Sequence, residues 1–155
     1  MKKLLFTLSF AAIGLLSSAQ VSLYQNAKKL LSETHPEIST ENRLIAINVW
    51  SETNTESREA NKGFEKTYSV YERARLKGGS KGIIVIAVNK DELTPTAVIT
   101  FTKDGISKLI SVKLSDLEGI DANTTNVVFD SNGNEVYKNL SAPNIYSSIN
   151  HLITR

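Results

Sequence analysis

The chain has 155 residues, 41% apolar and 22% charged, which suits one globular domain with its own core. Two of its 18 basic residues and none of its 16 acidic ones fall in a leader-like start, so the remainder is formally neutral and lacks the electrostatic footprint of a nucleic-acid binder. It contains no cysteine, which excludes disulfides, thiolate zinc sites, a lipidated cysteine anchor and thiol chemistry together.

The start, MKKLLFTLSFAAIGLLSSAQ, sets Lys2 and Lys3 before an apolar stretch from Leu4 to Leu16. That length suits an export leader and is short for a bilayer span. Ser17-Ser18-Ala19 places small residues where a leader peptidase needs them, so cleavage is expected after Ala19, leaving Gln20 first. The product is expected in the periplasm or outside the cell. No later run is long and apolar enough to span a membrane. Exported domains often rely on disulfides, and this one must rely on its core.

Val21 to Glu33 carries Leu23, Ala27, Leu30 and Leu31 at helical spacing and is expected as a helix at the domain edge. Pro36 disfavours helix at His35, which reads as a plain loop histidine. Leu44 to Trp50 is an apolar run interrupted by Asn48, as in a central strand. Ser51 to Thr55 is a polar loop in which Thr53 and Thr55 are candidate caps, and Thr53-x-x-Glu56 fits a capping box. Ala60, Phe64, Thr67 or Tyr68, Tyr71 and Ala74 then mark the buried face of a long helix, expected to run to Lys77 and end at Gly78-Gly79.

Gly82 to Val88 is β-branched, uncharged and continuous, as a parallel strand covered on both faces should be. With the preceding strand and helix it makes a βαβ unit. Thr94-Pro95 predicts a cap and a first helical residue, with a short helix to about Lys103, although Val98 to Phe101 would suit a strand as well. Ile106 to Leu114 fits a short strand without requiring one. Asn126 to Phe129 and Asn134 to Tyr137 flank Asp130-Ser131-Asn132-Gly133 as a hairpin. Ser141 opens a last helix with Pro143 in its first turn and Ile145, Ile149, Leu152 and Ile153 facing inward.

The order of elements and three short motifs resemble the thioredoxin-like fold, in its exported TlpA-like thiol–disulfide oxidoreductase branch. Asn48-Val49-Trp50 followed by Ser51 to Glu59 is similar to that family's strand end and its Trp-Cys-x-x-Cys-Arg-x-Glu segment. Ile86 to Asp91 is similar to its Val-x-x-Asp strand end, and Val127 to Gly133 to its Asp-x-x-Gly hairpin. The resemblance covers about Leu44 to Ile153. It implies a central mixed sheet with helices on both faces, plus an N-terminal helix. The implied organisation is a signal peptide over 1–19, an N-terminal helix and linker over 20–43, and a thioredoxin-like domain over 44–155. It puts Asn54 and Ser57 at the two cysteine positions and Thr124 where the family has a cis-proline. It also implies a docking surface for an extended peptide or another exported protein near Trp50, Asn54, Ser57, Arg58 and Thr124.

Thiol–disulfide exchange needs a nucleophile that ionises near neutral pH and cycles between two oxidation states. Asn54 has no ionisable group, and Ser57 has no redox couple. A serine nucleophile would need a histidine base and an orienting acid, and His151 lies far along the chain. The free N–H groups at the helix start would favour an anion, but Glu52, Glu56 and Glu59 oppose one, and ordinary capping is the better reading. Asp91, Asp104, Asp116, Asp121 and Asp130 show no calcium-loop spacing. Asn123-Thr124-Thr125 and Asn139-Leu140-Ser141 match the glycosylation pattern, which matters only in a eukaryotic secretory pathway. The expectation is a module for binding or assembly, with no catalytic residue, cofactor or metal. The alternatives are an enzyme of non-thiol chemistry on the same fold and a structural accessory protein.

Overall fold

The computed structural model describes residues 11–75, 81–92 and 94–152, with side chains from residue 23 onward. Five strands form one sheet in the order β3-β2-β1-β4-β5. They are β1 (Leu44–Trp50), β2 (Ile83–Asn89), β3 (Ile110–Lys113), β4 (Asn126–Phe129) and β5 (Glu135–Lys138). The helices are α1 (Ala11–Thr34), α2 (Thr55–Tyr71), α3 (Pro95–Lys103) and α4 (Ala142–Asn150).

β1 and β2 run parallel in register from Leu44 opposite Ile83 to Trp50 opposite Asn89, and every residue of both is buried. Two long apolar runs buried on both faces can sit only in the middle of a covered sheet. β3 extends the parallel side, while β4 and β5 add antiparallel on the other. The mixed sheet with helices on both faces and an N-terminal helix is therefore the observed architecture.

Because side chains alternate across a strand, the two faces bury different sets. Leu44, Ala46, Trp50, Ile83, Val85 and Ala87 face α2, α3 and α4, meeting Phe64, Ala97, Ile145 and Ile149. Ile45, Ile47, Val49, Ile84, Ile86 and Val88 face Leu23, Tyr24, Ala27 and Leu31 of α1. The N-terminal helix thus packs on this face of the sheet and does not lie at the domain edge. The β-branched face of β1 and β2 needs a lid, and this is the helix that covers it. Gly133 holds the lid close: its φ is +85°, and a Cβ there would come within 2.6 Å of the Tyr24 ring. The Tyr24 hydroxyl also donates to the Ser131 carbonyl at 3.0 Å.

Three local expectations change. The chain is already helical at Ala11, the first described residue and well before Val21, because its Ala- and Leu-containing stretch is a good helix former. α2 stops at Tyr71, where the Glu72 N–H bonds the Tyr68 carbonyl, so it is shorter than expected and Ala74 lies beyond it. The chain then turns back into Gly82, at φ +79°, where a Cβ would collide with the Glu72 carbonyl oxygen. The expected stop at Lys77-Gly78-Gly79, the inward-facing Ile153 and the first ten residues lie outside the described residues. Finally, Asn54 caps α2, and neither Thr53 nor Thr55 does. The segment 95–103 is helix, capped by Thr94 with Pro95 in its first turn. Among the described residues, no helix is long and apolar enough to cross a membrane.

Candidate functional site

The carboxyl end of β1 delivers Trp50 into a four-residue turn that ends at the cap of α2. Asn54 is extended (φ −98°, ψ 104°), and its Oδ1 accepts from the Ser57 N–H at 2.8 Å. The Asn54 N–H donates to the Ser51 carbonyl at 3.2 Å. The Ser57 hydroxyl donates to the Asn54 carbonyl at 2.9 Å and accepts from the Ser51 N–H at 3.2 Å. Asn54 and Ser57, the residues expected at the two cysteine positions, therefore meet at the head of α2, and each spends its side chain holding the turn closed. A serine oxygen used this way has no base beside it. His35 sits 3.3 Å from Glu37 at the far end of α1, and His151 caps the end of α4.

The turn is fastened to the next loop. The Glu52 N–H donates to Asp91 Oδ2 at 2.9 Å, and Glu52 Oε1 accepts from the Thr94 hydroxyl at 2.6 Å. Between the turn, α4 and β4 lies a cleft of about 110 Å³. Its lining includes Asn48, Trp50, Asn54, Ser57, Thr125 and Asn126. Asn48, only 1% exposed, donates through Nδ2 to Asn61 Oδ1 at 2.7 Å and to the Ser57 carbonyl at 3.3 Å. Asn126 exchanges two hydrogen bonds with the backbone of Leu140, at 2.8 and 2.9 Å, as a strand neighbour would.

Of the residues named from the sequence, Trp50, Asn54 and Ser57 line this cleft. Trp50 is buried and tilts against Phe101 of α3, with ring centroids 4.7 Å apart. Thr124 is buried and absent from the lining, its N–H bonded to the Asp121 carbonyl, while its neighbour Thr125 reaches the lining. No peptide bond among the described residues is cis. Arg58 is absent from the lining and grips Asp104 of the α3 C-cap through two bonds, at 2.6 and 2.8 Å. That guanidinium holds the Asp104 carboxyl below the usual carboxylate range, although burial pushes the other way. Asn48, Lys90, Thr125 and Asn126 were not singled out from the sequence. The one available signal was a polar Asn48 inside an otherwise apolar run. No group of three or more His, Asp or Glu side chains converges to hold a metal among the described residues.

No family model matches the chain, and no curated protein matches it. Solved structures do. The thioredoxin domain of a thiol-disulfide oxidoreductase from Bacteroides vulgatus aligns at TM-score 0.57 and 15% identity, over 74% of this chain and 82% of that one. A thiol:disulfide interchange protein from Bacteroides sp. gives 0.55 and 16%, over 72% and 73%. A secreted thiol-disulfide isomerase from Corynebacterium glutamicum gives 0.53 and 15%, over 72% and 71%. The fold is thioredoxin-like, and this chain carries it with no cysteine.

Proposed function

We propose that the chain is an exported, redox-inactive thioredoxin-like module that binds another exported protein or an extended peptide, with no catalytic step of its own. One observation supports this reading: a cleft lies at the head of α2, and the two residues expected at the cysteine positions are an amide and an alcohol committed to the turn. A cleft with no electron carrier beside it is suited to docking. The docking face is built from Trp50, Asn54, Ser57 and the Thr124-Thr125 segment. Arg58 contributes by fixing α2 to α3. The leader-like start supports export, with cleavage near Ala19 and residence in the periplasm or outside the cell. The Corynebacterium isomerase, a secreted protein, supports the same compartment.

The test compares affinity purifications from the native host using the wild type and Thr125→Arg, which fills the cleft with a charged side chain. The expected result is one stoichiometric partner with the wild type and its loss with the variant, at an unchanged circular dichroism spectrum. A variant that retains every partner of the wild type rules out this face. Intact mass of the exported protein is expected to begin at Gln20, and a mass beginning at Met1 contradicts cleavage.

A further inference from the structure

The turn between β4 and β5 carries a chemistry that docking does not use. Of the chain's asparagines, Asn132 alone is followed by glycine. Asn132 is exposed, and its carboxamide has no hydrogen-bond partner among the described residues. Glycine lacks the Cβ that would crowd an approach to its backbone nitrogen. Asp130 holds the turn together. Its Oδ1 accepts from the Asn132 and Asn134 N–H groups, each at 2.9 Å, and its Oδ2 accepts from the Asn134 side-chain amide at 3.0 Å. The Gly133 N–H donates to the Asp130 carbonyl at 3.1 Å, the longest bond of this set. Backbone bonds in an exposed turn open locally at little cost in free energy. The residues on either side of Asn132 both touch α1. Ser131 offers its carbonyl to the Tyr24 hydroxyl at 3.0 Å, and Gly133 lies so close to the Tyr24 ring that a Cβ there would come within 2.6 Å of it. Tyr24 belongs to the buried cluster that joins α1 to the sheet.

We propose that Asn132 is a self-modification site whose rate Asp130 restrains, and that its conversion slackens the hold of the hairpin on α1. Once the Gly133 N–H is released and deprotonated, its nitrogen attacks Asn132 Cγ. A new N–C bond closes a succinimide ring, the bond from Cγ to the side-chain nitrogen breaks, and that nitrogen leaves as ammonia with the proton. Water then adds at either ring carbonyl and opens the ring to aspartate or isoaspartate. One water enters and one ammonia leaves, with no change of oxidation state. Isoaspartate routes the main chain through the former side chain and adds a methylene to it before Gly133. Either product also sets a second carboxylate beside Asp130. An extra backbone atom between two contacts this close displaces at least one of them, and the Tyr24 anchor loosens. The site is independent of the docking reading.

Ageing the purified protein at neutral and mildly alkaline pH tests it, read by peptide mapping in a mass spectrometer and by thermal melts. Asn132 is expected to convert several-fold faster than any other described asparagine, and faster as pH rises, because the attacking nitrogen must lose its proton. Deamidated protein, separated by ion exchange, is expected to melt at least about 2 °C below fresh protein. Asp130→Ala removes the restraining bonds and is expected to convert several-fold faster than the wild type, at a temperature where circular dichroism shows both folded. Asn132→Gln keeps an exposed amide but closes the ring far less readily, so its melting temperature is expected to hold through the same ageing. Conversion of Asn132 no faster than that of Asn134 overturns the modification site. Equal rates in Asp130→Ala and the wild type overturn the restraint. A deamidated fraction that melts with fresh protein, or Asn132→Gln losing stability in step with the wild type, overturns the link to α1. The wild-type and Asn132→Gln measurements decide the site even where Asp130→Ala fails to fold.

Discussion

The two faces of the sheet are made from the same strands and are built on different terms. Toward α1 the sheet presents Ile45, Ile47, Val49, Ile84, Ile86 and Val88, and none of the buried asparagines of the described strands lies on this face. Toward α2 it presents Asn48, Asn89 and Asn126 among the apolar residues, with Asn61 and Thr67 of α2 buried against it. One face is a dry packing surface that carries stability in a chain without disulfides. The other gives up some of that stability to place amides beneath the head of a helix. Burying polar groups that are not fully paired is costly, so the difference points to where the molecule does its work.

The comparison can be broken first on the dry face. Ile86→Ala is expected to lose about 2–5 kcal/mol of unfolding free energy, since the removed atoms leave a cavity between the sheet and α1. A loss well under about 1 kcal/mol in urea titration contradicts a tightly packed lid. Gly133→Ala attacks the same face from the hairpin, adding a Cβ at positive φ against the Tyr24 ring. It is expected to cost on the order of 1–3 kcal/mol, and an unchanged melting temperature contradicts that contact. At the head of α2, Asn54→Ala is expected to cost about 1 kcal/mol and Thr53→Ala only a few tenths, because Asn54 holds the cap. The reverse order in a denaturant series restores the capping box that the sequence suggested.

Acid sharpens the contrast further. Asp104 is held below its ordinary pKa in the fold, so it binds protons more readily in the unfolded chain. Its pairing with Arg58 therefore contributes above the unfolded value of about 4 and is lost as pH falls through the folded value. Asp104→Asn is expected to remove that portion of the acid dependence of stability below about pH 4. A variant with the same slope there as the wild type contradicts it. Trp50→Phe deletes an unpaired buried donor and also shrinks a fully buried ring, and the cavity left beside Phe101 is expected to cost about 1–3 kcal/mol. An unchanged melting temperature contradicts the close packing of that ring.

Much of the framework was legible because it is written in local patterns. The two buried strands follow from continuous β-branched runs, the hairpin from Asp130 to Gly133, and the start of α3 from Thr94-Pro95. The position of α1 was not legible. An amphipathic pattern reveals that one side is buried and says nothing of what buries it. Asn48, Asn89 and Asn126 read as interruptions or ends of strands until the register set them on one face. The pairing of Arg58 with Asp104 joins residues 46 apart and carries no local signature. Asn54 and Ser57 were found through the register of Trp50, but that Asn54 caps the helix was obscured by a competing Thr-x-x-Glu pattern.

The account turns on Asn54 and Ser57 occupying, at the head of α2, the places of a reactive dithiol. The double variant Asn54→Cys/Ser57→Cys tests this directly by intact mass and thiol titration after equilibration with oxidised and reduced glutathione. The predicted result is a monomer with an intramolecular disulfide that opens and closes reversibly with the glutathione ratio, against no exchange in the wild type. Two thiols that stay free under oxidising conditions, or that pair only between molecules, would contradict it.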